Sequence, residues 1–129
     1  MFEIATSLSP NYAEAHFNLG VIYQDLDQKD KAVSSYKRAI EITPNYPSAH
    51  NNLGNIYREL GEIELAIESL EWAIAYKHDY AEAHNNLGNA LNESGRTVDA
   101  IASFKNALNF NPTYARAMFN LSLALKDIG

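Results

Sequence analysis

The sequence predicts an all-α fold, a right-handed solenoid of about seven helices, and three features of the 129-residue chain indicate it. Small residues recur every 34 positions, at Gly20, Gly54, Gly88 and Ser122. Apolar side chains between them recur with the period of a helix. Proline falls near the end of two intervals, at Pro44 and Pro112. A unit of this length cannot bury its own apolar face, so we expect neighbouring units to stack into one array.

Each unit is predicted to contain two helices joined by a short turn. Three complete units fit the chain, over residues 13–46, 47–80 and 81–114. Each helix has an apolar stripe, and small residues where its two helices meet allow close approach. Gly61 and Gly95 are expected to end first helices in a left-handed conformation. Pro44 and Pro112 are expected to break second helices, because proline lacks the N–H that a helix needs.

The two ends of the chain match incomplete units. Residues 1–12 correspond to the end of a second helix, and residues 115–129 correspond to a first helix without its partner. We therefore expect the chain to be a piece of a longer array, with a short natural or designed array as the alternative.

Three positions depart from the repeat pattern. Asp27 stands where the other units have Gly61 and Gly95, so we expect a looser first turn. His78 stands in the proline position, so the second helix of the middle unit is expected to run further or bend differently. Trp72 stands in a position predicted to face solvent. It is either a contact residue or partly packed against a neighbour.

The order of residues within a unit resembles the tetratricopeptide repeat family, whose unit of about 34 residues is a helix, a turn and a second helix. In the first unit the matching residues are Leu19, Gly20, Tyr23, Ala32, Tyr36, Ala39 and Pro44. The resemblance covers the whole chain at the level of repeats. It implies that the first helices line a concave groove and that the function is to bind another protein.

Asparagine is the most specific feature of the predicted groove. It forms a complete column with close neighbours, at Asn18, Asn52, Asn86, Asn120, Asn51, Asn85, Asn55 and Asn89. An amide both donates and accepts hydrogen bonds, so a ladder of amides fits the main chain of an extended peptide. In the context AHNNLG this ladder resembles the superhelical arm of O-linked N-acetylglucosamine transferases, which implies a substrate-recruiting arm as one alternative. The other alternative is that the asparagines link neighbouring helices.

The remaining groove residues argue against an acidic ligand. A branch of the family holds acidic C-terminal tails with lysine and arginine, but the matching positions here contain no lysine and read Phe17, Asn51, Asn85 and Phe119. Phe17 and Phe119 are expected to offer apolar contacts at the two ends of the groove, and Arg58 is its candidate cation. Seven acidic and three basic groove residues account for −4 of the net charge of −6. A neutral or basic peptide is the expected ligand, and a merely solvated face is the alternative.

Composition and motifs disfavour other functions. The net charge of −6 disfavours nucleic acid. No segment is long and apolar enough for a membrane span, no cysteine is present, and a cytoplasmic location is favoured. No catalytic motif is found, so we expect no enzyme activity and no cofactor. His16, His50 and His84 lie one unit apart, too far for one metal ion, so we expect no metal site. They are predicted to pack, as are Tyr12, Tyr46, Tyr80 and Tyr114.

Self-association is the second function that the sequence suggests. The last helix lacks a partner over Met118, Leu121 and Leu125, while the first residues offer Phe2 and Leu8. A head-to-tail chain or a swapped dimer would bring these two ends together. The alternative to a peptide-binding groove is therefore an assembly scaffold that uses its ends and the face around Trp72.

Overall fold

The computed structural model describes residues 11–129, which form seven α-helices and no strand. The helices are α1 (Asn11–Asp25), α2 (Lys29–Ile42), α3 (Pro47–Glu59), α4 (Ile63–Tyr76), α5 (Ala81–Glu93), α6 (Thr97–Phe110) and α7 (Ala115–Ile128). The predicted all-α solenoid is confirmed. The second helix predicted over residues 1–12 falls almost wholly outside the described residues, and its last two positions begin α1. None of the described helices is both long and apolar enough to cross a bilayer.

The helices pack as three hairpins that stack in chain order. α1 packs on α2, α3 on α4 and α5 on α6, and each second helix packs on the first helix that follows it. α3 also contacts α5, and α5 contacts α7, whereas no comparable contact joins one second helix to the next within residues 11–129. From α3 onwards the first helices therefore lie closer together than the second helices, which places them on the inner face of the curve.

Glycine allows the two helices of each hairpin to approach closely. Gly20, Gly54 and Gly88 face the large side chain of the partner helix, and a Cβ on Gly88 would lie 2.4 Å from Phe104 Cε1. That distance is far below an ordinary contact, so glycine is required for this packing. Ser122 occupies the same position on α7, where it is exposed.

The first turn has the same geometry as the other two, contrary to the expectation of a looser turn. Asp27 adopts the left-handed conformation, with φ +59°, as Gly61 and Gly95 do with φ +84° and +88°. The Gln28 N–H donates to the Tyr23 carbonyl at 2.8 Å, the same bond that closes the other two turns. Aspartate tolerates this conformation better than most residues, so the turn forms without glycine.

The prediction that His78 would lengthen the second helix of the middle unit was wrong. α4 ends at Tyr76, the same position in the unit at which α2 and α6 end. The carbonyl of His78 accepts a hydrogen bond from His84 Nε2 at 2.9 Å, and its ring packs edge-on against Phe110, with centroids 5.2 Å apart. The helix therefore ends at the same place with histidine as with proline, and the same imidazole-to-carbonyl bond forms at both junctions.

Candidate functional site

Six of the eight predicted groove asparagines form two sets, and the first set joins neighbouring units. Asn51 and Asn85 are buried, with 1 % and 2 % of their surfaces exposed. Asn86 Nδ2 donates to Asn51 Oδ1 at 2.9 Å, and Asn120 Nδ2 donates to Asn85 Oδ1 at 3.0 Å. We call these four residues the asparagine ladder. Its bonds link α3 to α5 and α5 to α7, so they agree with the alternative in which asparagines connect helices.

Two tyrosines lie beside the buried asparagines of the ladder. The Tyr80 hydroxyl lies near the side chains of Ser48 and Asn51, and the Tyr114 hydroxyl lies near Asn85. Burial raises the pKa of both tyrosines. Tyr80 and Tyr114 precede α5 and α7 and therefore pack between units, as predicted, with their hydroxyls near the ladder.

The junction between the first two units is built differently. Phe17 stands where the later units have Asn51 and Asn85, and it is half-buried. Its ring stacks on Tyr46, with centroids 5.1 Å apart, and lies 5.6 Å from the Tyr36 ring. Asn52 Nδ2 donates to the Tyr36 hydroxyl at 3.3 Å. Aromatic packing thus replaces the asparagine ladder here, and Phe17 is engaged by its neighbours at this end of the groove.

A polar pocket of about 410 Å³ opens on the groove face of α3, α5 and α7. Six of the ten residues predicted for the site lie in its wall. The full lining is Asn55, Arg58, Glu59, Glu82, Asn85, Asn86, Asn89, Arg116, Phe119 and Asn120. The other four predicted residues lie elsewhere: Asn51 is buried and bonded to Asn86, Asn52 and Phe17 belong to the first junction, and Asn18 is exposed on α1. We call this opening the groove pocket.

Asn55 and Asn89 form the second set of asparagines. Both are half-buried and line the groove pocket one unit apart. Asn55 Oδ1 accepts a hydrogen bond from Arg58 Nη2 at 3.1 Å. Among residues 11–129, no protein group hydrogen-bonds with the Asn89 amide or with the Asn55 NH₂ group. These amides can therefore hydrogen-bond with a ligand at no cost to an internal bond.

Charges in the groove pocket are nearly balanced. Two carboxylates and two guanidinium groups line it, although the groove as a whole carries more acid than base. Arg58 Nη1 contacts Glu93 Oε1 at 3.3 Å, which ties α3 to α5 across the groove. Phe119 adds an apolar edge and is 64 % exposed. The pocket thus offers amides and an equal number of positive and negative side chains, which suit uncharged polar groups.

The buried histidines have structural partners. His50 Nε2 donates to the Pro44 carbonyl at 2.9 Å, and His84 makes the same bond one unit later. Burial lowers the pKa of His50, while the Pro44 carbonyl opposes that shift. Within residues 11–129, no three side chains of the types that bind metals lie close enough to share an ion. Both rings pack within the array, as the sequence predicted.

Comparison with family models matches almost the whole sequence. A model described as TPR repeat matches residues 25–57 and 54–95, which together exceed half of the chain. Models described as Tetratricopeptide repeat match residues 81–114 and 1–34. The comparison with curated protein sequences gives no significant match.

Solved structures share this architecture. The first TPR of Spaghetti (RPAP3) bound to HSP90 peptide SRMEEVD superimposes with a TM-score of 0.90, at 19 % identity over 93 % of this chain and 95 % of that one. MamA superimposes with a TM-score of 0.88, at 26 % identity over 99 % of this chain and 75 % of that one. The Sgt2 TPR domain from Aspergillus fumigatus gives 0.87 at 20 % identity, over 91 % and 79 %. At identities of 19–26 %, these superpositions establish a common fold.

Proposed function

Because the chain belongs to the tetratricopeptide repeat family, we propose that it is a protein–protein interaction module that binds an extended peptide in the groove formed by its first helices. The observation that carries the proposal is the groove pocket, about 410 Å³ in volume and lined by asparagines from three successive units. The Spaghetti domain, which has the same fold, was solved with a peptide. This supports a binding role rather than a catalytic one.

The groove asparagines can supply both the donors and the acceptors that a bound main chain needs. An extended main chain presents an N–H and a carbonyl at each residue, and both need partners when a ligand is desolvated. Asn55 and Asn89 supply N–H donors, while Asn86 keeps its Oδ1 as an acceptor after donating to Asn51. Amides that repeat once per unit recognise main chain and tolerate many side chains.

The preferred ligand is a neutral or basic segment. The chain carries a net charge of −6, and the two arginines of the groove pocket are offset there by two carboxylates. A strongly acidic peptide would approach against this field and find as many carboxylates as arginines in the pocket. The narrower resemblance, to the recruiting arm of a glycosyltransferase, rests on the asparagine column alone.

A peptide array tests this proposal. The wild type is compared with a double variant, Asn55→Ala with Asn89→Ala, that leaves the asparagine ladder intact. The matched control, Asn106→Ala with Asn109→Ala, makes the same chemical change at exposed positions on α6. We expect the groove variant to bind at least about tenfold more weakly across peptides of unrelated sequence, since each lost hydrogen bond contributes about 1 kcal/mol.

The control should bind as the wild type does, and circular dichroism should show that both variants are folded. Equal binding by the groove variant and the wild type would show that the amides of Asn55 and Asn89 do not bind the peptide. Preferential binding of acidic peptides would contradict the proposed ligand charge.

A second candidate function, self-association, is favoured by the apolar surface of α7. Its exposed large side chains are Met118, Phe119, Leu123, Leu125 and Ile128. A second helix from another copy would cover part of this surface in a head-to-tail chain or a swapped dimer. Ser122 limits such docking, because the equivalent glycines leave space that its Cβ fills.

Sedimentation equilibrium tests the second candidate. If α7 mediates association, the mass of the wild type rises with concentration, Leu125→Lys abolishes the rise and Ser122→Gly strengthens it. A constant monomer mass at all concentrations would exclude this function.

A further inference from the structure

The only tryptophan in the chain lies on the face formed by the second helices. Trp72 is 50 % exposed, yet its ring is held by neighbours. It stacks on Tyr76, with centroids 5.7 Å apart, and on His50, with centroids 6.4 Å apart. His50 and Tyr76 also stack, at 5.6 Å, and the His50 bond to the Pro44 carbonyl holds that ring in place. Trp72 therefore presents a fixed aromatic surface to solvent.

A cavity of about 340 Å³ adjoins this ring between α2, α3 and α4. Its lining is mainly apolar and comprises Lys37, Ile40, Glu41, His50, Leu53, Tyr57, Leu65, Glu68, Ser69 and Trp72. We call it the Trp72 pocket. Its volume lies at the lower end of the range for ligand sites, so it suits one or two side chains rather than a large cofactor.

The other two units show that the fold does not need these apolar residues. The position of Trp72 is Arg38 one unit earlier and Asn106 one unit later. Leu65, which is 43 % exposed, is likewise replaced by a charged residue in both units. The second helices of all three units nevertheless have the same length and end at the same position. Packing of the array therefore gives no reason for an exposed tryptophan and leucine at this junction.

The surroundings of the Trp72 pocket are acidic. α4 carries Glu64, Glu68 and Glu71 and no basic residue. In the described part of the chain, Glu68 and Glu71 have no ion-pair partner, while Glu64 pairs with Arg96 at 3.4 Å. Lys37 is the single basic residue in the lining. Lys37 also has no ion-pair partner among the described residues, but Glu68 and Glu71 outnumber it, so a cationic ligand is favoured.

From this combination we propose that the Trp72 pocket is a second binding site, for a basic segment of another protein that inserts one bulky apolar side chain beside Trp72. Tryptophan is one of the residues enriched among those that dominate the binding energy of protein interfaces. Trp72 is held at the edge of an apolar cavity, where a partner side chain can pack against it. The carboxylates of α4 attract and orient the flanking Lys or Arg residues. This site is separate from the groove pocket, so one chain can hold two partners.

A peptide-display selection tests the proposal. A random 12-residue library is selected on the wild type and counter-selected on Trp72→Asn with Leu65→Asp. These substitutions install the residues that the following unit carries at the same positions, Asn106 and Asp99, so they are compatible with the fold. Circular dichroism checks the folding of each variant.

We expect enriched peptides to carry one bulky apolar residue flanked by Lys or Arg. Each single variant should weaken their binding at least about tenfold, and added salt should weaken binding to the wild type. Because Trp72 is the only tryptophan, its emission should move to shorter wavelength as a tryptophan-free peptide covers it. Glu68→Lys should weaken the binding of basic peptides. The double variant Asn55→Ala with Asn89→Ala should bind these peptides as the wild type does.

Three results would overturn the proposal. The first is a selection that enriches nothing dependent on Trp72. The second is enrichment of peptides that are acidic or that depend on Asn55 and Asn89, which would return binding to the groove. The third is a concentration-dependent dimer that Trp72→Asn abolishes, which would make the occupant a second copy of this chain.

Discussion

Removing one amide of the asparagine ladder should destabilise the array far more than removing a neighbouring groove amide. Asn86→Ala takes away the Nδ2 donor that lies 2.9 Å from Asn51 Oδ1. Asn51 is 1 % exposed, so water cannot replace the lost donor. The substitution therefore leaves a buried acceptor without its bond and weakens the junction between α3 and α5.

The expected loss follows from the cost of an unsatisfied buried polar group. Such a group costs about 1–3 kcal/mol, and we expect about 2 kcal/mol for Asn86→Ala because Asn51 is almost wholly enclosed. Asn89→Ala is the matched control, since Asn89 lines the same groove pocket and bonds no other unit. Its expected effect is within about 0.5 kcal/mol.

Urea unfolding followed by circular dichroism measures both changes. The slope of free energy against urea shows whether the array still unfolds as one unit, as the comparison requires. A double-mutant cycle with Asn51→Ala should give a coupling of about 1 kcal/mol, since removing both partners leaves nothing unsatisfied between them. Equal losses for Asn86→Ala and Asn89→Ala, or a coupling near zero, would refute the structural role of the ladder.

Further predictions concern packing and pH. Gly88→Ala should cost about 1–3 kcal/mol, less a helix-propensity gain of about 0.5–1 kcal/mol, because its Cβ would lie 2.4 Å from Phe104 Cε1. Gly61→Ala meets no atom within 4 Å but must keep φ +84°, so thermal unfolding should show a loss of about 1–2 kcal/mol. Burial lowers the pKa of His50, so the unfolded state binds its proton more readily. The free energy of unfolding should therefore fall as pH drops below 6.5, the ordinary pKa of histidine, and His50→Gln should reduce that slope between pH 7.5 and 5.

The helices could be predicted from sequence because their signals are local. Three signals locate the helices of residues 13–128. They are the helical spacing of apolar residues, the left-handed glycines Gly61 and Gly95, and the 34-residue interval between units. His78 was misjudged for the opposite reason. α4 ends without proline at the same position in the unit as α2, and His78 there contacts His84 and Phe110 of the next unit, which no local rule describes.

The division of the asparagines could not be predicted in this way. Asn85 and Asn86 are adjacent in sequence and differ by about 100° around the helix. Which of them faces the next helix and which faces the groove depends on how units stack, so Asn85 is buried while Asn86 remains partly open. The Trp72 pocket was missed as a cavity because three different helices form its walls. Sequence indicated Trp72 only as an isolated exposed residue.

The central claim is that the groove pocket binds peptide main chain through its free amides. Nuclear magnetic resonance of the side-chain NH₂ groups, recorded while a peptide selected from the array is added, tests it most directly. The account predicts that the signals of Asn55 and Asn89 shift with peptide concentration, while those of buried Asn51 and of Asn106 on α6 do not. Shifts confined to Asn106 and Asn109 on α6, with Asn55 and Asn89 unchanged, would contradict it.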